Sequence, residues 1–165
     1  VRSRESGKAI KAPEDAEADM AHRHDFESTI SHLYGLQSRG AALQASSANR
    51  KATVEVMRQY AERAGTDFGG LKILHIAGTK GKGSCCALLE ALLRAHFGLK
   101  TGFFSSPHLV TPTERIRVNG KPLSEALFSK YYWEVAGRLA GAAEARRRAG
   151  HEDGLAETPP FFRML

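Results

Sequence analysis

Cysteine, tryptophan and long apolar runs are all scarce in this sequence. Among its 165 residues are two cysteines and one tryptophan. No apolar run reaches the roughly 18 residues of a membrane-spanning helix, so no transmembrane segment is predicted. The two cysteines, Cys85 and Cys86, are adjacent, a spacing that excludes an ordinary zinc site and rarely permits a disulfide. We predict two unpaired thiols, buried or half-buried on a helix, in a reducing compartment.

A large excess of one charge is also lacking. The chain has 24 Lys and Arg against 18 Asp and Glu, a net charge of +6. This mild, scattered excess suits anionic ligands such as nucleotides and polycarboxylates, but it does not predict nucleic-acid binding. Hydrophobic residues make up 42% and charged residues 25%. Such values exclude a fully disordered or collagen-like chain and fit about one domain.

The chain divides into a polar start and a globular remainder. Residues 1–24 contain almost no large apolar side chains, and we predict a disordered tail because they cannot bury enough surface to offset their ordering entropy. Residues 25–165 are predicted to form the ordered part. Its first two helices are marked by apolar residues at helical spacing, and Gly65 closes the second. These residues are Phe26, Ile30, Leu33 and Tyr34, then Val54, Met57, Tyr60, Ala61 and Ala64.

The middle of the chain has the pattern of a strand–helix–strand unit. Residues 71–77 form a short β-rich run that predicts a buried parallel strand. Residues 84–97 are predicted as a helix with Gly98 as its C-cap, and residues 100–104 as the next strand. The inward face of that helix is predicted to comprise Leu88, Ala91, Leu92 and Ala95. A right-handed crossover would join the two strands, so we predict an α/β fold with a parallel central sheet.

The last third is predicted from turn and capping signals. Residues 114–118 alternate with period two and end at Asn119-Gly120, which predicts a strand and a hairpin turn. Ser124 is predicted to cap a helix that ends near residue 140. Residues 141–157 are predicted as a flexible, solvated insertion, and residues 158–160 as the cap and first turn of another helix.

The chemically informative stretch is the glycine-rich run from Gly78 to Ser84, GTKGKGS. Glycines allow backbone N–H groups to converge on phosphate oxygens, and the following helix adds its positive N-terminal end. Lys82 supplies a mobile cation and Ser84 a hydroxyl. The spacing departs from the standard Walker pattern, because Gly81 follows Gly78 too closely and Gly83 precedes the serine. From these residues alone, a simple glycine-rich turn remains the alternative.

Several blocks of sequence around this run resemble one ligase family. The blocks are LQS at 36–38, HIAGTKGKGS at 75–84, TGFFSSPHL at 101–109, ERIRVNG at 114–120 and TPPFFR at 158–163. In order and spacing they resemble the family that includes folylpolyglutamate synthase, dihydrofolate synthase and, more distantly, the Mur ligases. The likeness covers residues 26–165 and is nearest to the folate branch. The PPFFR block resembles the eukaryotic folylpolyglutamate synthase type.

The resemblance implies a fold and a set of site residues. The fold is a Rossmann-like P-loop domain with the parallel sheet of the Mur ligase central domain. ATP would be bound by Gly78, Thr79, Lys80, Gly81, Lys82, Gly83 and Ser84, with Lys82 as the catalytic cation. Ser106 would ligate Mg²⁺, although a turn serine that satisfies a backbone group is the alternative. Cys85 stands where the family commonly has threonine, so one hydroxyl near the phosphates is lost.

The activity implied is ATP-dependent addition of L-glutamate to the γ-carboxylate of tetrahydrofolate or folylpolyglutamate through an acyl phosphate. The resemblance also implies that the remaining magnesium ligands and a C-terminal domain lie outside this chain. We therefore expect an inactive N-terminal part of a ligase that is monomeric when complete, in the cytoplasm, the mitochondrion or both, with no nucleic-acid partner. Dihydrofolate synthase and an inert nucleotide-binding protein remain alternatives.

Other polar residues allow two interpretations each. His108 suggests a metal or catalytic role, or else a hydrogen-bonding anchor. Arg115 and Arg117 are expected to share one face of a strand, where they would meet an anionic substrate or solvent. The basic run at 146–148 is predicted to be solvated. Packing roles are predicted for Tyr131, Tyr132 and Trp133.

Overall fold

The computed structural model describes residues 24–40, 50–151 and 154–165. The predicted tail, apart from His24, lies outside these residues. The helices are α1 (Phe26–Gly40), α2 (Arg50–Arg63), α3 (Lys82–Phe97), α4 (Glu125–Arg148) and α5 (Phe161–Met164). The strands are β1 (Gly102–Phe104), β2 (Ile116–Val118) and β3 (Lys121–Pro122), with a 3₁₀ turn, η1, at Pro112–Arg115. No helix in the described part of the chain is long and apolar enough to cross a membrane.

The core is helical and is built by α1, α4 and α5 together with the end of α2. Its buried apolar residues are Leu33, Leu36, Tyr60, Ala64, Phe128, Tyr132, Leu139, Phe161 and Met164. The predicted face of α1 is confirmed, since Leu33 is fully buried and Phe26 and Ile30 pack against the core. The predicted end of α2 is confirmed as well, because Gly65 has a φ of 66° after the last helical turn.

Aromatic residues of α4 join this helix to α1 through hydrogen bonds. The indole N–H of Trp133 donates to the Thr29 hydroxyl at 2.8 Å, and the Tyr132 hydroxyl lies 2.6 Å from Nδ1 of His32. Burial raises the pKa of Tyr132 to about 12, so this hydroxyl stays protonated at neutral pH. The predicted packing roles of Trp133 and Tyr132 are confirmed. Tyr131, by contrast, is half exposed.

The sheet differs from the predicted parallel one. Its three strands lie in the order β1-β2-β3, and both pairings are antiparallel. Asn119 and Gly120 form the predicted hairpin turn between β2 and β3, with φ values of 51° and 79°. An added Cβ at Gly120 would lie 2.9 Å from Nη2 of Arg94, so a larger residue there would require the arginine side chain to move. The hairpin thus packs directly against the guanidinium carried by α3.

Residues 71–77 form no strand in the structure, so the predicted parallel pairing with β1 is not present in it. Leu71, Ile73 and Leu74 are each 60% exposed or more. A β-rich run becomes a strand only where a neighbouring segment completes its backbone hydrogen bonds. Among the described segments none does so for this run, and β1 pairs with β2 instead. The apolar pattern therefore has the composition of a strand, but it does not indicate which neighbouring segment the strand would pair with.

Helix α3 is confirmed, but its predicted inward face is wrong except at Ala91, which is half-buried. It begins at Lys82 and ends at Gly98, the predicted C-cap, with a φ of 62°. No residue of α3 is buried, and Leu88 and Leu92 are 73% and 54% exposed. Contact with the start of β1 fixes the orientation of the helix, because Glu90 accepts a hydrogen bond from the Thr101 hydroxyl at 2.5 Å. The half-buried face comprises Cys86, Ala87, Leu89, Glu90, Ala91 and Leu93.

The two cysteines occupy different environments on α3. Cys86 is half-buried as predicted, whereas Cys85 is exposed, and neither forms a disulfide. Because they are consecutive on a helix, their side chains point about 100° apart around its axis, and only one can face the sheet.

Two predicted boundaries near the end of the chain are wrong. Helix α4 begins at the predicted cap Ser124, but it continues to Arg148 and so includes the first part of the predicted insertion at 141–157. This part is rich in alanine, and Glu144 pairs with arginines three and four residues later, both of which favour helix. Helix α5 begins at Phe161 with Pro160 as its N-cap, so Thr158 is not the cap.

Candidate functional site

The glycine-rich loop at residues 78–84 turns the chain into the N-terminus of α3. Gly78 and Gly81 have φ values of 157° and 76°, and Gly81 is the N-cap with no side-chain cap. Glycine adopts such values without the strain of a Cβ. The first backbone bond of the helix joins the Cys85 N–H to the Gly81 carbonyl at 2.9 Å. The three preceding amides therefore have no partner within the helix and are available to an acceptor.

Lys82 is folded back over this loop. Its ammonium donates to the carbonyl of Gly78 at 2.6 Å and to the carbonyl of Thr79 at 3.2 Å. Both contacts are exposed, and no acidic side chain among the described residues pairs with this lysine. Since carbonyls are neutral, the positive charge remains uncompensated. The loop thus combines free amides with a held cation, the combination that binds phosphate oxygens.

The remaining residues predicted from the loop lie in the same exposed segment. Thr79, Lys80, Gly83 and Ser84 are all exposed, and a Cβ at Gly83 would meet nothing within 4 Å. The structure therefore brings the seven predicted nucleotide-binding residues together at one helix end, accessible from solvent. Their binding of a nucleotide remains a prediction at this point.

Ser106, the predicted magnesium ligand, lies in the turn that follows β1. Its side chain is exposed, its peptide bond to Pro107 is cis, and the neighbouring Ser105 N–H donates to the Arg115 carbonyl at 3.0 Å. No hydrogen bond among the described residues links Ser106 to the loop at 78–84. A serine oxygen suits Mg²⁺, which takes few protein ligands and relies on phosphate oxygens and water. The described residues contain no cluster of three or more His, Cys, Asp or Glu suited to a metal.

Of the two roles offered for His108, the structure supports that of a hydrogen-bonding anchor. The Nε of Arg115 donates to its Nδ1 at 2.7 Å, and its Nε2 lies 3.0 Å from the Tyr34 hydroxyl. Because arginine can only donate, Nδ1 must be an acceptor and the ring proton is on Nε2. Both nitrogens are engaged within the protein, so this histidine has none left for a metal.

Arg115 and Arg117 do not share a face, contrary to the prediction. Arg115 belongs to η1, is buried, and lies over the ring of Phe161 at 5.6 Å. Arg117 belongs to β2, pairs across the sheet with Phe103, and lies over that ring at 5.1 Å. The alternation predicted a strand over both arginines, but the 3₁₀ turn rotates the first away from the second.

Glu114 was missed as an organising residue of this turn. Its carboxylate accepts the N–H groups of Leu109, Val110 and Thr111, each at 2.9 Å. These backbone bonds, that of Leu109 first, hold the pKa of Glu114 below its usual value. The sequence did contain the signal, because Thr111 and Glu114 have the spacing of a capping box, which the structure forms.

A cleft of about 440 Å³ lies away from the loop, where α2 and α4 end. It is lined by Arg63, Ala143, Arg146, Arg147, His151, Gly154, Leu155, Ala156 and Glu157. Arg147 and Arg148 pair with Glu144 and keep most of their side chains in solvent, as predicted for the basic run. None of the residues predicted for the site lines this cleft.

No protein-family model matches the sequence. The mitochondrial folylpolyglutamate synthase of Homo sapiens is 40% identical over 147 residues, which cover 86% of this chain and 24% of the human protein. The chain therefore spans about a quarter of the length of the curated relatives that it matches.

Two solved structures are also similar. E. coli FolC in complex with DHPP and ADP has a TM-score of 0.54 at 34% identity, over 67% of this chain and 25% of that one. The folylpolyglutamate synthase of Mycobacterium tuberculosis complexed with ADP has a TM-score of 0.60 over 85% of this chain and 29% of that one. At 24% identity the second likeness concerns the fold alone.

Proposed function

We propose that this chain, which belongs to the folylpolyglutamate synthase family over the 147 residues that align with the human protein, forms the nucleotide-binding, N-terminal part of an ATP-dependent folate–glutamate ligase. The chain spans about a quarter of the length of its relatives. The complete reaction is therefore proposed for a ligase, called the complete ligase below, that contains these residues together with the segments that the relatives have in addition. The substrates would be ATP, L-glutamate and a reduced folate or folylpolyglutamate.

The observation that supports this proposal most strongly is the arrangement at the start of α3. Three amides without helical partners lie at the start of the helix, and the Lys82 ammonium is held by the carbonyls of Gly78 and Thr79. The terminal phosphates of ATP would replace these neutral carbonyl acceptors with charged oxygens, which add the attraction of opposite charges to the hydrogen bonds of the ammonium. E. coli FolC, which shares the fold at 34% identity, is described with bound ADP.

The residues at hand suit an acyl-phosphate route. A carboxylate oxygen of the folate would attack the γ-phosphorus, and ADP would leave as the bond to the β-phosphate oxygen breaks. The glutamate amine would then attack the acyl carbon, lose a proton and expel phosphate, which leaves an amide. Phosphoryl transfer of this kind depends on positioning and charge stabilisation. Lys82 and the loop amides would hold the phosphates for this step.

Ser106 would hold Mg²⁺ together with the phosphates of the nucleotide. When bound, the ion would supply neutralisation of phosphate charge. The donor chemistry fits, because the serine hydroxyl is exposed and Mg²⁺ prefers oxygen ligands. Water and the ligands contributed by the rest of the ligase would complete the coordination shell.

In the complete ligase, we further propose that residues 71–77 become the parallel strand beside β1 and so complete a P-loop fold. The exposed apolar side chains of Leu71, Ile73 and Leu74 support this proposal, because a parallel strand that is buried in a sheet is rich in such side chains. Helix α3 would then be covered on its exposed side, where Leu88 and Leu92 lie. For the location of the ligase we propose the cytoplasm, the mitochondrion or both, because the human relative is named mitochondrial.

The proposal is tested by replacing Lys82 in the complete ligase. Lys82→Ala should lower glutamate ligation by about 100-fold or more, the usual cost of removing a charge-stabilising group from an active site. Lys130→Ala, on the exposed face of α4, is the matched control. Phosphate release with tetrahydrofolate and glutamate gives the rate, and thermal unfolding shows whether the fold is kept. Near-normal turnover of a folded Lys82→Ala enzyme would contradict the proposal.

Dihydrofolate synthase is the second candidate, because the E. coli FolC structure contains DHPP as well as ADP. The two activities differ in the acid that accepts glutamate. Parallel assays of the complete ligase with dihydropteroate and with tetrahydrofolate separate them. Turnover with tetrahydrofolate alone supports the folylpolyglutamate activity, whereas turnover with dihydropteroate establishes the second.

A further inference from the structure

Three side chains from different segments meet around His108. Tyr34 comes from α1, Arg115 from η1 and Phe161 from the first turn of α5. Tyr34 and Arg115 each bond one nitrogen of the imidazole, at 3.0 Å and 2.7 Å. This group of Tyr34, His108, Arg115 and Phe161 is called the His108 cluster below.

Phe161 supports both partners of the imidazole. Its ring stacks on Tyr34 with centroids 5.5 Å apart and an interplanar angle of 11°, and the Arg115 guanidinium lies over it at 5.6 Å. Phe161 is itself buried, and so is Arg115. The imidazole is therefore held between two groups that rest on one buried ring, so its position and tautomer are fixed by packing as well as by hydrogen bonds.

The His108 cluster lies two residues from Ser106. On the other side of the serine, the Ser105 N–H donates to the Arg115 carbonyl at 3.0 Å, so a single residue, Arg115, bonds the turn both before and after Ser106. Glu114 fixes the following residues through the N–H groups of Leu109, Val110 and Thr111. Ser106 is thus an exposed hydroxyl on a turn whose flanks are tied to the core.

We propose that Tyr34, His108 and Arg115 are positioning residues that fix the turn at 105–108, and that this turn sets the affinity of the site for a magnesium–nucleotide complex. They would act through Ser106 and touch neither substrate nor metal. The inference rests on the proposed function, since it takes Ser106 as a ligand of Mg²⁺. Outer partners of metal ligands commonly matter in this way, because they hold the ligand in the geometry that the metal requires.

The test is the substitution Tyr34→Phe in the complete ligase. It removes one hydroxyl from the His108 cluster and keeps the ring that stacks on Phe161, so the core should be preserved. Tyr131→Phe is the matched control, because that tyrosine is half exposed on α4 and lies outside the cluster. Binding of ATP is measured by calorimetric titration twice, once with excess Mg²⁺ and once with a chelator. Thermal unfolding verifies that each variant is folded.

For Tyr34→Phe, affinity for ATP in the presence of Mg²⁺ should fall by about tenfold, the lower end of the usual loss when an outer partner of a metal ligand is removed. Affinity for ATP without metal should not change, and Tyr131→Phe should change neither value. Nitrogen NMR of the His108 ring should show the proton on Nε2 in the unsubstituted protein. An equal loss with and without Mg²⁺, or a Tyr34→Phe protein that behaves like the control, would overturn the inference.

Failure of the proposed function has a different signature. If Lys82→Ala leaves ATP affinity unchanged under both conditions, the loop does not bind the nucleotide, and the positioning inference falls with it. If Lys82→Ala weakens binding under both conditions while Tyr34→Phe has no effect, the nucleotide site stands and only the inference about the His108 cluster is wrong.

Discussion

At the scale of the residue, Glu114 shows how one carboxylate organises a loop. It accepts three consecutive backbone N–H groups, from Leu109 to Thr111, each at 2.9 Å. These bonds favour its charged form, and they leave Leu109 and Val110 with almost fully exposed side chains on a fixed backbone. The turn that contains Ser106 is therefore held by main-chain hydrogen bonds and by the His108 cluster.

The lowered pKa of Glu114 predicts a pH dependence. Because the folded protein holds this carboxyl below the ordinary value of 4.5, the unfolded state binds more protons in that range, and stability rises with pH there. The contribution of the Glu114 carboxylate to the free energy of unfolding is fully present above pH 4.5 and is lost as the pH falls through the lowered pKa. Thermal unfolding of the protein and of Glu114→Gln should therefore differ above that pH and converge below it.

Glu62→Gln, on the exposed side of α2, is the control for this comparison. A Glu114→Gln curve parallel to that of the unsubstituted protein over the whole acid range would contradict the assignment.

At the scale of the element, local signals predicted several of the points at which helices and turns begin or end. Ser124 caps α4, Gly98 caps the end of α3, and Asn119-Gly120 forms the hairpin turn, because each signal acts through its own backbone neighbours. The predicted end of α4 and the predicted cap at Thr158 were wrong, and the other failures did not concern boundaries. The exposed face of Leu88 and the unpaired run at 71–77 depend on which segments lie opposite, and a single stretch of sequence does not contain that information.

Two glycine substitutions should have opposite effects on stability. Gly120→Ala should destabilise the protein by roughly 1–2 kcal/mol, because φ is positive there and the new Cβ would meet Arg94. Gly137→Ala, in the exposed interior of α4 with open space around it, should stabilise by about 0.5–1 kcal/mol. Chemical unfolding of both variants measures this contrast. Equal effects would show that the hairpin turn is not constrained as described.

At the scale of the whole molecule, the helical core and the candidate site differ in burial. The core around Leu33 and Phe128 is closed, whereas residues 71–84, apart from the half-buried Ile76, and the outer face of α3 are exposed. The seven candidate residues of the glycine loop could be named from the sequence because they are contiguous, and their binding of a nucleotide stays a prediction. Their surroundings were not, because the His108 cluster joins Tyr34 to Phe161 across most of the chain.

This exposure predicts the behaviour of the 165-residue chain by itself. It should show no measurable folate ligation and bind ATP only weakly, because water has free access to the loop and little surrounds the γ-phosphate. The uncovered apolar side chains should also promote self-association. Phosphate release and light scattering of the isolated chain test both points. Robust turnover by a monodisperse 165-residue protein would show that the chain is a complete enzyme.

We expect the loop at 78–84 to bind the phosphates of ATP through its amides and Lys82. Hydrogen–deuterium exchange of the complete ligase, with and without saturating ATP, measures this binding at the loop itself. ATP should slow exchange of the amides from Thr79 to Ser84, and this protection should be lost in Lys82→Ala but kept in Lys130→Ala. Unchanged exchange in the loop at saturating ATP, with protection elsewhere, would contradict the account.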